Sequence, residues 1–350
     1  MSKIRHVATV CDDGRIRLIK ETLPPVLPGT ICVRVHASLV SPGTELGGWK
    51  QLAKKREQKE SFGEGRKFGY SNSGIVEEVG EGVSRFRIGQ RVACIGYGFA
   101  LHTDFAIVPQ NLCVELPDAV SFEQASYSML LATSIQSVHR AEPKLGENVA
   151  VVGMGLVGQL VAQLHQACGN YVIGWARNKI QLDVARKWGI DEVVQMQNEN
   201  AVEKTKEFTK YKLLDTAVLA FPGQSGSTWK QVCDSMKITP DGHRMGRVVI
   251  VGGSEIELKW IPANMDIRFA ARTGPGYHDQ AWELGQDYPS VLVERTTQDN
   301  LQLGIDLIAR KKVDVNILTT HYVNLLDVTE SIDAILDNPQ DILGLVFLNK

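Results

Sequence analysis

Six consecutive residues, G-M-G-L-V-G at Gly153–Gly158, have the G-x-G-x-x-G spacing of a turn that can hold a phosphate anion. The apolar run N-V-A-V-V precedes them and the Leu-, Val- and Gln-rich segment L-V-G-Q-L-V-A-Q-L-H-Q-A follows, so the glycines join a strand to a helix. Gly153 permits a tight turn and Gly155 lets the backbone approach a pyrophosphate. Gly158 lets the helix lie against the strand. The N–H groups at the helix start, at Leu156, Val157 and Gly158, then face the anion.

The next strand, Y-V-I-G-W-A-R-N-K, bears on which dinucleotide fits. A carboxylate about twenty residues past the glycines accepts hydrogen bonds from the ribose of NAD. Here Ala176 stands at that place, followed by Arg177, Asn178 and Lys179. Without the carboxylate a 2′-phosphate is not repelled, and two cations are available to bind it. NADP(H) is therefore the expected cofactor, the other reading being that Arg177 and Lys179 are ordinary surface charges.

The elements that must position this turn alternate. Strand-like apolar runs and helical segments succeed one another from Asn148 onward, through T-A-V-L-A-F and R-V-V-I-V-G-G. That pattern implies βαβ units and a parallel sheet covered on both faces. The first third reads instead as strands and turns, with I-C-V-R-V-H-A-S-L-V (Ile31 to Val40) partly alternating. The charge run Lys50 to Ser61 reads as a solvated helix or loop. The final fifty residues predict a helix near Asp299 to Lys311, a strand through His321, a helix around Leu326 to Asp337 and the last strand G-L-V-F-L-N.

The bulk properties narrow the function classes. At 350 residues the chain is long enough for two domains with their own cores. Its 38 Lys and Arg against 40 Asp and Glu give a net charge of −2, which argues against nucleic acid as a partner. No apolar run reaches the roughly 18 residues of a membrane span. The opening M-S-K-I-R-H-V-A-T-V lacks a secretion signal's apolar core, and the six cysteines form no C-x-x-C pair. A cytoplasmic protein acting on a small-molecule substrate is the expectation.

Several motifs together carry a family resemblance: S-P-G-T-E (Ser41 to Glu45), F-G-Y-S-N-S-G (Phe68 to Gly74), V-G-E-G-V, G-Q-R-V, the glycine turn, and T-T-H-Y near the C-terminus. The chain resembles the medium-chain dehydrogenase/reductase superfamily, of the alcohol dehydrogenase type, over nearly all its length. The resemblance implies an α/β protein with a GroES-like β-rich catalytic domain (residues 1–129 and 297–350). A Rossmann dinucleotide-binding domain with a doubly wound parallel sheet (130–296) sits between its parts, with the active site in the cleft. It also implies a homodimer. In zinc-dependent relatives three places hold metal ligands; here they hold Pro42, Tyr70 and Ser128, with Ser71 following Tyr70. Proline cannot ligate, and neutral Tyr and Ser are poor zinc ligands. The four-cysteine lobe of a structural zinc is missing too, so no metal is expected.

Without a metal, side chains must stabilise the developing oxyanion. The resemblance puts Thr44 at the hydroxyl that touches the substrate oxygen and Tyr70 in the former ligand site, where a phenol is a plausible proton donor. Tyr70 as a filler of the vacated site and Thr44 as a plain turn residue stand beside those readings. His102 aligns with a cleft residue of relatives, with a structural polar contact as the stronger reading, Glu45 aligns with an acidic brace of its loop, and His36 reads as structural. His278 and Asp279 lie in the stretch Ala271 to Pro289, which matches either a substrate segment, with a hint of a polyhydroxylated or carbohydrate-linked compound, or a dimerisation loop. The resulting expectation is a zinc-independent, NADPH-dependent oxidoreductase acting on a small carbonyl or alcohol. A quinone or enone reductase and a non-catalytic NADPH-binding protein are the alternatives.

Overall fold

The computed structural model describes residues 3–57, 65–257 and 263–349, and the chain divides into two compact units. The first comprises Met1–Ala132, Thr273–Lys311 and Thr319–Lys350; the second comprises Thr133–Arg272 and Lys312–Leu318.

In the first unit, strand Thr30–Val40 is the hub of a seven-stranded sheet. It pairs antiparallel with Gly344–Leu348, Ser71–Val79 and Phe105–Pro109. Arg91–Ile95 and Cys113–Glu115 extend one side, and Thr319–Asn324 runs parallel to the last strand on the other. β-branched residues dominate Ile31–Val35 and suit this pleated, covered surface. Phe68, Phe347, Leu345 and Val323 pack with Trp49 and Leu52 into one core. Those last two residues come from helix Trp49–Glu57, the first part of the Lys50 to Ser61 charge run, so that run is amphipathic rather than merely solvated. Its remainder lies outside the described residues.

The second unit is the alternating segment. Its parallel sheet has the order Glu192–Gln195, Tyr171–Ala176, Asn148–Val152, Thr216–Leu219, Arg244–Ile250, Ala263–Phe269. Successive residues of the central strand serve opposite faces: Val149 and Val151 pack into one core, Ala150 and Val152 into the other. That two-sided burial is why the strand reads as continuously apolar rather than alternating. Among the described residues no helix is long and apolar enough to cross a membrane.

The unit boundary differs from the expected one at 296/297. Residues Thr273 to Arg295 belong with the first unit, because hydrogen bonds tie them there: Asn111 Nδ2 donates to Trp282 O (2.7 Å) and Gln110 Nε2 to Leu284 O (2.8 Å). Trp282 is 1% exposed and stacks on Tyr288. Conversely, Asp314 is held in the second unit by Gln163, which donates to its carbonyl and accepts from its N–H. The C-terminal elements fall close to expectation, at Thr297–Ala309, Thr319–Asn324, Val328–Ile335 and Gly344–Leu348.

Because Trp282 anchors the segment to the first unit, Trp282→Ala should destabilise that unit by about 3–5 kcal/mol, the usual cost of emptying a large buried aromatic site. Chemical denaturation of the variant checks it, and a loss under about 1 kcal/mol would mean that the segment is held by its hydrogen bonds alone.

Candidate functional site

Two clusters of functional side chains emerge, one in each unit. In the first unit, Ser41–Glu45 forms a short helix, Pro42–Leu46, with proline near its start, where its missing N–H costs nothing. This places Thr44 at the surface and turns Glu45 inward, where it is 5% exposed. Glu45 Oε2 accepts from Ser41 N at 2.5 Å. Its Oε1 lies 3.3 Å from His102 Nε2, within ion-pair range but not aligned as a hydrogen bond, so neither atom has another hydrogen-bond partner. His102 is fully buried; its Nδ1 lies 2.8 Å from Ser38 Oγ, and its ring meets those of Phe68 and Phe347 edge-on.

Tyr70 is built onto the same pair. The preceding Gly69 has φ +120°, and a Cβ there would lie 2.3 Å from His102 N, so only glycine lets Phe68–Tyr70 run beneath the His102 backbone. His102 N donates to Phe68 O (3.1 Å) and Gly96 N to Tyr70 O (3.0 Å). The Tyr70 phenol is 5% exposed, and burial pushes its pKa well above the ordinary tyrosine value. The Glu45 charge pushes it the same way, hydrogen bonds with the Ser41 and Thr44 side chains oppose, and Tyr277 adds a smaller upward push. The structure thus brings Tyr70, Thr44 and Ser41 together over a buried Glu45–His102 pair.

The other candidates are placed elsewhere. His102 lines no open surface; it supports Tyr70 from within. Asp279 caps the short helix Gln280–Glu283 and accepts from Tyr288 Oη at 2.6 Å, a structural task. His278 is exposed at φ +72°, its N–H held by Glu283 Oε1. His36 stacks on Phe122 in the sheet. Sequence reasoning passed over Tyr277 and Ser41, although G-Y-H-D and S-P-G-T-E place both beside residues that it did name.

In the second unit the glycine turn takes the shape its spacing implies. Gly153 has φ +96°, and a Cβ on Gly158 would lie 1.9 Å from Gly153 O. Gly155 differs: a Cβ there would meet nothing within 4 Å. Packing therefore does not require glycine at 155, and its bareness leaves the backbone open to a ligand. Gly155 is also the N-cap of helix Leu156–Ala167 and supplies no side chain to cap it, so the first N–H groups remain available to an anion. Beyond the second strand, Arg177 is exposed and has no partner among the described residues, Asn178 stands at the start of helix Lys179–Trp188 without a side-chain capping bond, and Lys179 pairs with Asp183. Of the two expected cations, Arg177 is uncommitted and Lys179 is engaged.

Two family models match this chain: an alcohol dehydrogenase GroES-like domain over residues 28–118 and a zinc-binding dehydrogenase over 157–275. The chain belongs to the medium-chain dehydrogenase/reductase superfamily. It is 30% identical to the rat quinone oxidoreductase, over 51% of this chain and 53% of that one, and so spans about half the length of that relative. An alcohol dehydrogenase from Cupriavidus necator is 22% identical over 99% of both chains. A solved Escherichia coli oxidoreductase/dehydrogenase of unknown specificity superposes with a TM-score of 0.76 at 17% identity, covering 99% of this chain and 100% of its own. The two-part architecture of this medium-chain dehydrogenase/reductase is thus the expected GroES-like domain with a nicotinamide dinucleotide-binding Rossmann fold.

The family model's zinc does not fit the residues present. Pro42 has no donor, the Tyr70 phenol is held protonated, and Ser128 Oγ donates to Ala125 O. Among the described residues no group of three or more His, Cys, Asp or Glu side chains could hold a metal ion. A dinucleotide pyrophosphate does fit, at the open backbone of Gly155–Gly158.

The two glycines separate folding from binding. Gly158→Ala should lower the melting temperature of the second unit, since the new methyl collides with backbone. Gly155→Ala should leave the melting curve within about 2 °C of the parent while weakening dinucleotide binding roughly tenfold or more. Thermal melts paired with fluorescence titration check both.

Proposed function

We propose that this protein is a zinc-independent, NADPH-dependent oxidoreductase that interconverts a small carbonyl compound and its alcohol, with Tyr70 as the proton donor and acceptor at the substrate oxygen. The observation that carries this reading is Tyr70 itself: a buried phenol kept protonated, flanked by the Ser41 and Thr44 side chains, where zinc-dependent relatives place a metal ligand.

When bound, the nicotinamide ring supplies or accepts the hydride. The chain's own residues bind and orient it: the helix start at Leu156–Gly158 receives the pyrophosphate, and Arg177, with Asn178 and Lys179 beside it, receives the 2′-phosphate. Tyr70 donates a hydrogen bond to the carbonyl oxygen and transfers its proton as an alkoxide develops. Thr44, exposed on helix Pro42–Leu46, links the phenol to solvent for reprotonation. Glu45 and His102 position both; they touch no substrate. The Cupriavidus necator likeness, which runs the full length, supports an alcohol–carbonyl pair over a quinone, as does the raised proton affinity of Tyr70.

On the cofactor side, NADPH should bind more tightly than NADH in a fluorescence titration, and Arg177→Ala should weaken NADPH about tenfold while leaving NADH nearly unchanged. Equal affinities in the parent protein would show that Arg177 faces solvent without a phosphate to hold.

On the chemical side, Tyr70→Phe keeps the ring and removes the donor. It should lower kcat for carbonyl reduction by roughly 10²-fold with KM little changed, and Thr44→Val should give a smaller loss of the same kind. Because burial and Glu45 hold the phenol protonated, kcat for reduction should show no falling limb from Tyr70 up to about pH 10, the ordinary tyrosine pKa. Undiminished turnover of the phenylalanine variant would reduce Tyr70 to a space-filler.

A further inference from the structure

The loop that holds the Tyr70 backbone carries two aromatic side chains turned outward. Gly96 N donates to Tyr70 O, and Phe99 N and Ala100 N both return to Gly96 O, closing the tight turn G-Y-G-F-A. Tyr97 is 58% exposed and Phe99 37%, against 5% for Tyr70, the residue to which their turn is bonded. The Phe99 ring lies over Gly96, where a Cβ would be 3.1 Å from Cδ2.

A third ring arrives from the segment Thr273 to Arg295. Tyr97 N donates to Tyr277 Oη at 3.0 Å, and the Tyr277 ring centroid lies 4.1 Å from that of His278. Tyr70 and Tyr277 thus meet the same turn at adjacent N–H groups, Gly96 N bonding the Tyr70 carbonyl and Tyr97 N the Tyr277 hydroxyl. The placement of Tyr277 is stiff, because the neighbouring Gly276 backbone rests on the buried Trp282 indole, where a Cβ would lie 2.5 Å from ring atoms.

Among the described residues, Glu45 and Arg66 carry the charges bonded to the Ser41–Glu45 turn. Glu45 is buried with Oε2 bound to Ser41 N, and Arg66 Nη2 donates to the Glu45 carbonyl at 2.7 Å. The Glu45 charge disfavours an anionic substrate near the phenol, while ring faces favour a flat, uncharged one.

We propose that Tyr97, Phe99 and Tyr277 form an aromatic subsite beside Tyr70 that selects an uncharged, planar aryl aldehyde or ketone over an open-chain hydroxylated one. This rests on the reading of Tyr70 as the group acting on the substrate oxygen. The aryl ring lies against the aromatic side chains while its carbonyl oxygen reaches the Tyr70 hydroxyl. Reduction adds the hydride of NADPH to the carbonyl carbon and the Tyr70 proton to its oxygen, leaving NADP⁺ and the aryl alcohol.

The test compares naphthaldehyde with glyceraldehyde, both with NADPH, in the parent protein, Tyr97→Ala, Phe99→Ala and Tyr277→Phe. Tyr97 and Phe99 are exposed enough for truncation to spare the fold, and Tyr277→Phe keeps the ring while removing the oxygen that accepts from Tyr97 N. Each alanine variant should raise KM for naphthaldehyde about tenfold, with kcat within about twofold and the glyceraldehyde constants unchanged. Tyr277→Phe should raise the naphthaldehyde KM by a smaller factor, with the glyceraldehyde constants unchanged. Equal losses for both aldehydes, or none for naphthaldehyde, would overturn the subsite. If the parent protein reduces neither aldehyde, the proposed reaction fails by itself. Naphthaldehyde binding, followed by fluorescence quenching, then decides the subsite separately: tenfold weaker binding in Phe99→Ala sustains it, and equal binding removes it.

Discussion

A carboxylate and an imidazole facing each other inside the first unit constrain everything around them. Removing Glu45 from water is costly, and a charge so placed persists when neighbouring groups answer it. Ser41 N answers one oxygen and the His102 ring faces the other. His102 in turn is fixed by Ser38 and by two phenylalanine rings. Helix Pro42–Leu46 therefore cannot shift without uncovering Glu45, and Phe68–Tyr70 cannot shift without displacing the backbone over Gly69. The pair joins the two segments that carry Thr44 and Tyr70, which is how a buried contact sets the geometry of the two residues proposed to act on the substrate.

The second unit solves a related problem with backbone alone. The close approach of Gly158 to the Gly153 carbonyl brings the helix start onto the strand end, and Gly153 turns the chain at φ +96° to do so. Gly155, unconstrained by packing, is the position whose glycine is best explained by a ligand. The second unit thus uses glycine in two ways, for backbone contact at Gly158 and for access from outside at Gly155, whereas the first unit uses Gly69 for backbone contact alone.

The parallel sheet, the glycine turn and the GroES-like strands were legible because each rests on local periodicity or on a motif whose geometry is local. The address of Tyr70 was legible for the same reason, since F-G-Y-S-N-S-G aligns with a motif. What escaped depended on long-range contacts. The segment Thr273 to Arg295 reads as a continuation of the Rossmann domain, yet Asn111 and Gln110, more than 160 residues earlier, hold it to the first unit. His102 aligned with a residue lining a cleft or making a structural polar contact, and it is the second: two rings, a serine and a carboxylate from four separate segments enclose it. Arg177 and Lys179 look equivalent in sequence, and only the helix that follows gives Lys179 an aspartate one turn away. Tyr277 went unnoticed because nothing near it in sequence announces the Tyr97 N–H that orients it.

The raised proton affinity of Tyr70 narrows the chemistry more than the fold does. A phenol pushed above its ordinary pKa is a poor acid toward weak bases, so it gives little help to a quinol anion or a stabilised enolate, whose own proton affinity is modest. An alkoxide is a far stronger base and takes the proton downhill even from a hindered donor. In the reverse direction the same mismatch would slow deprotonation of an alcohol unless the proton could leave through Thr44. Burial and the Glu45 charge, which together raise that affinity, therefore bias the proposed site toward reducing carbonyl groups. The shift weakens the phenol as an acid and leaves it protonated across neutral pH, as an ordinary tyrosine also is.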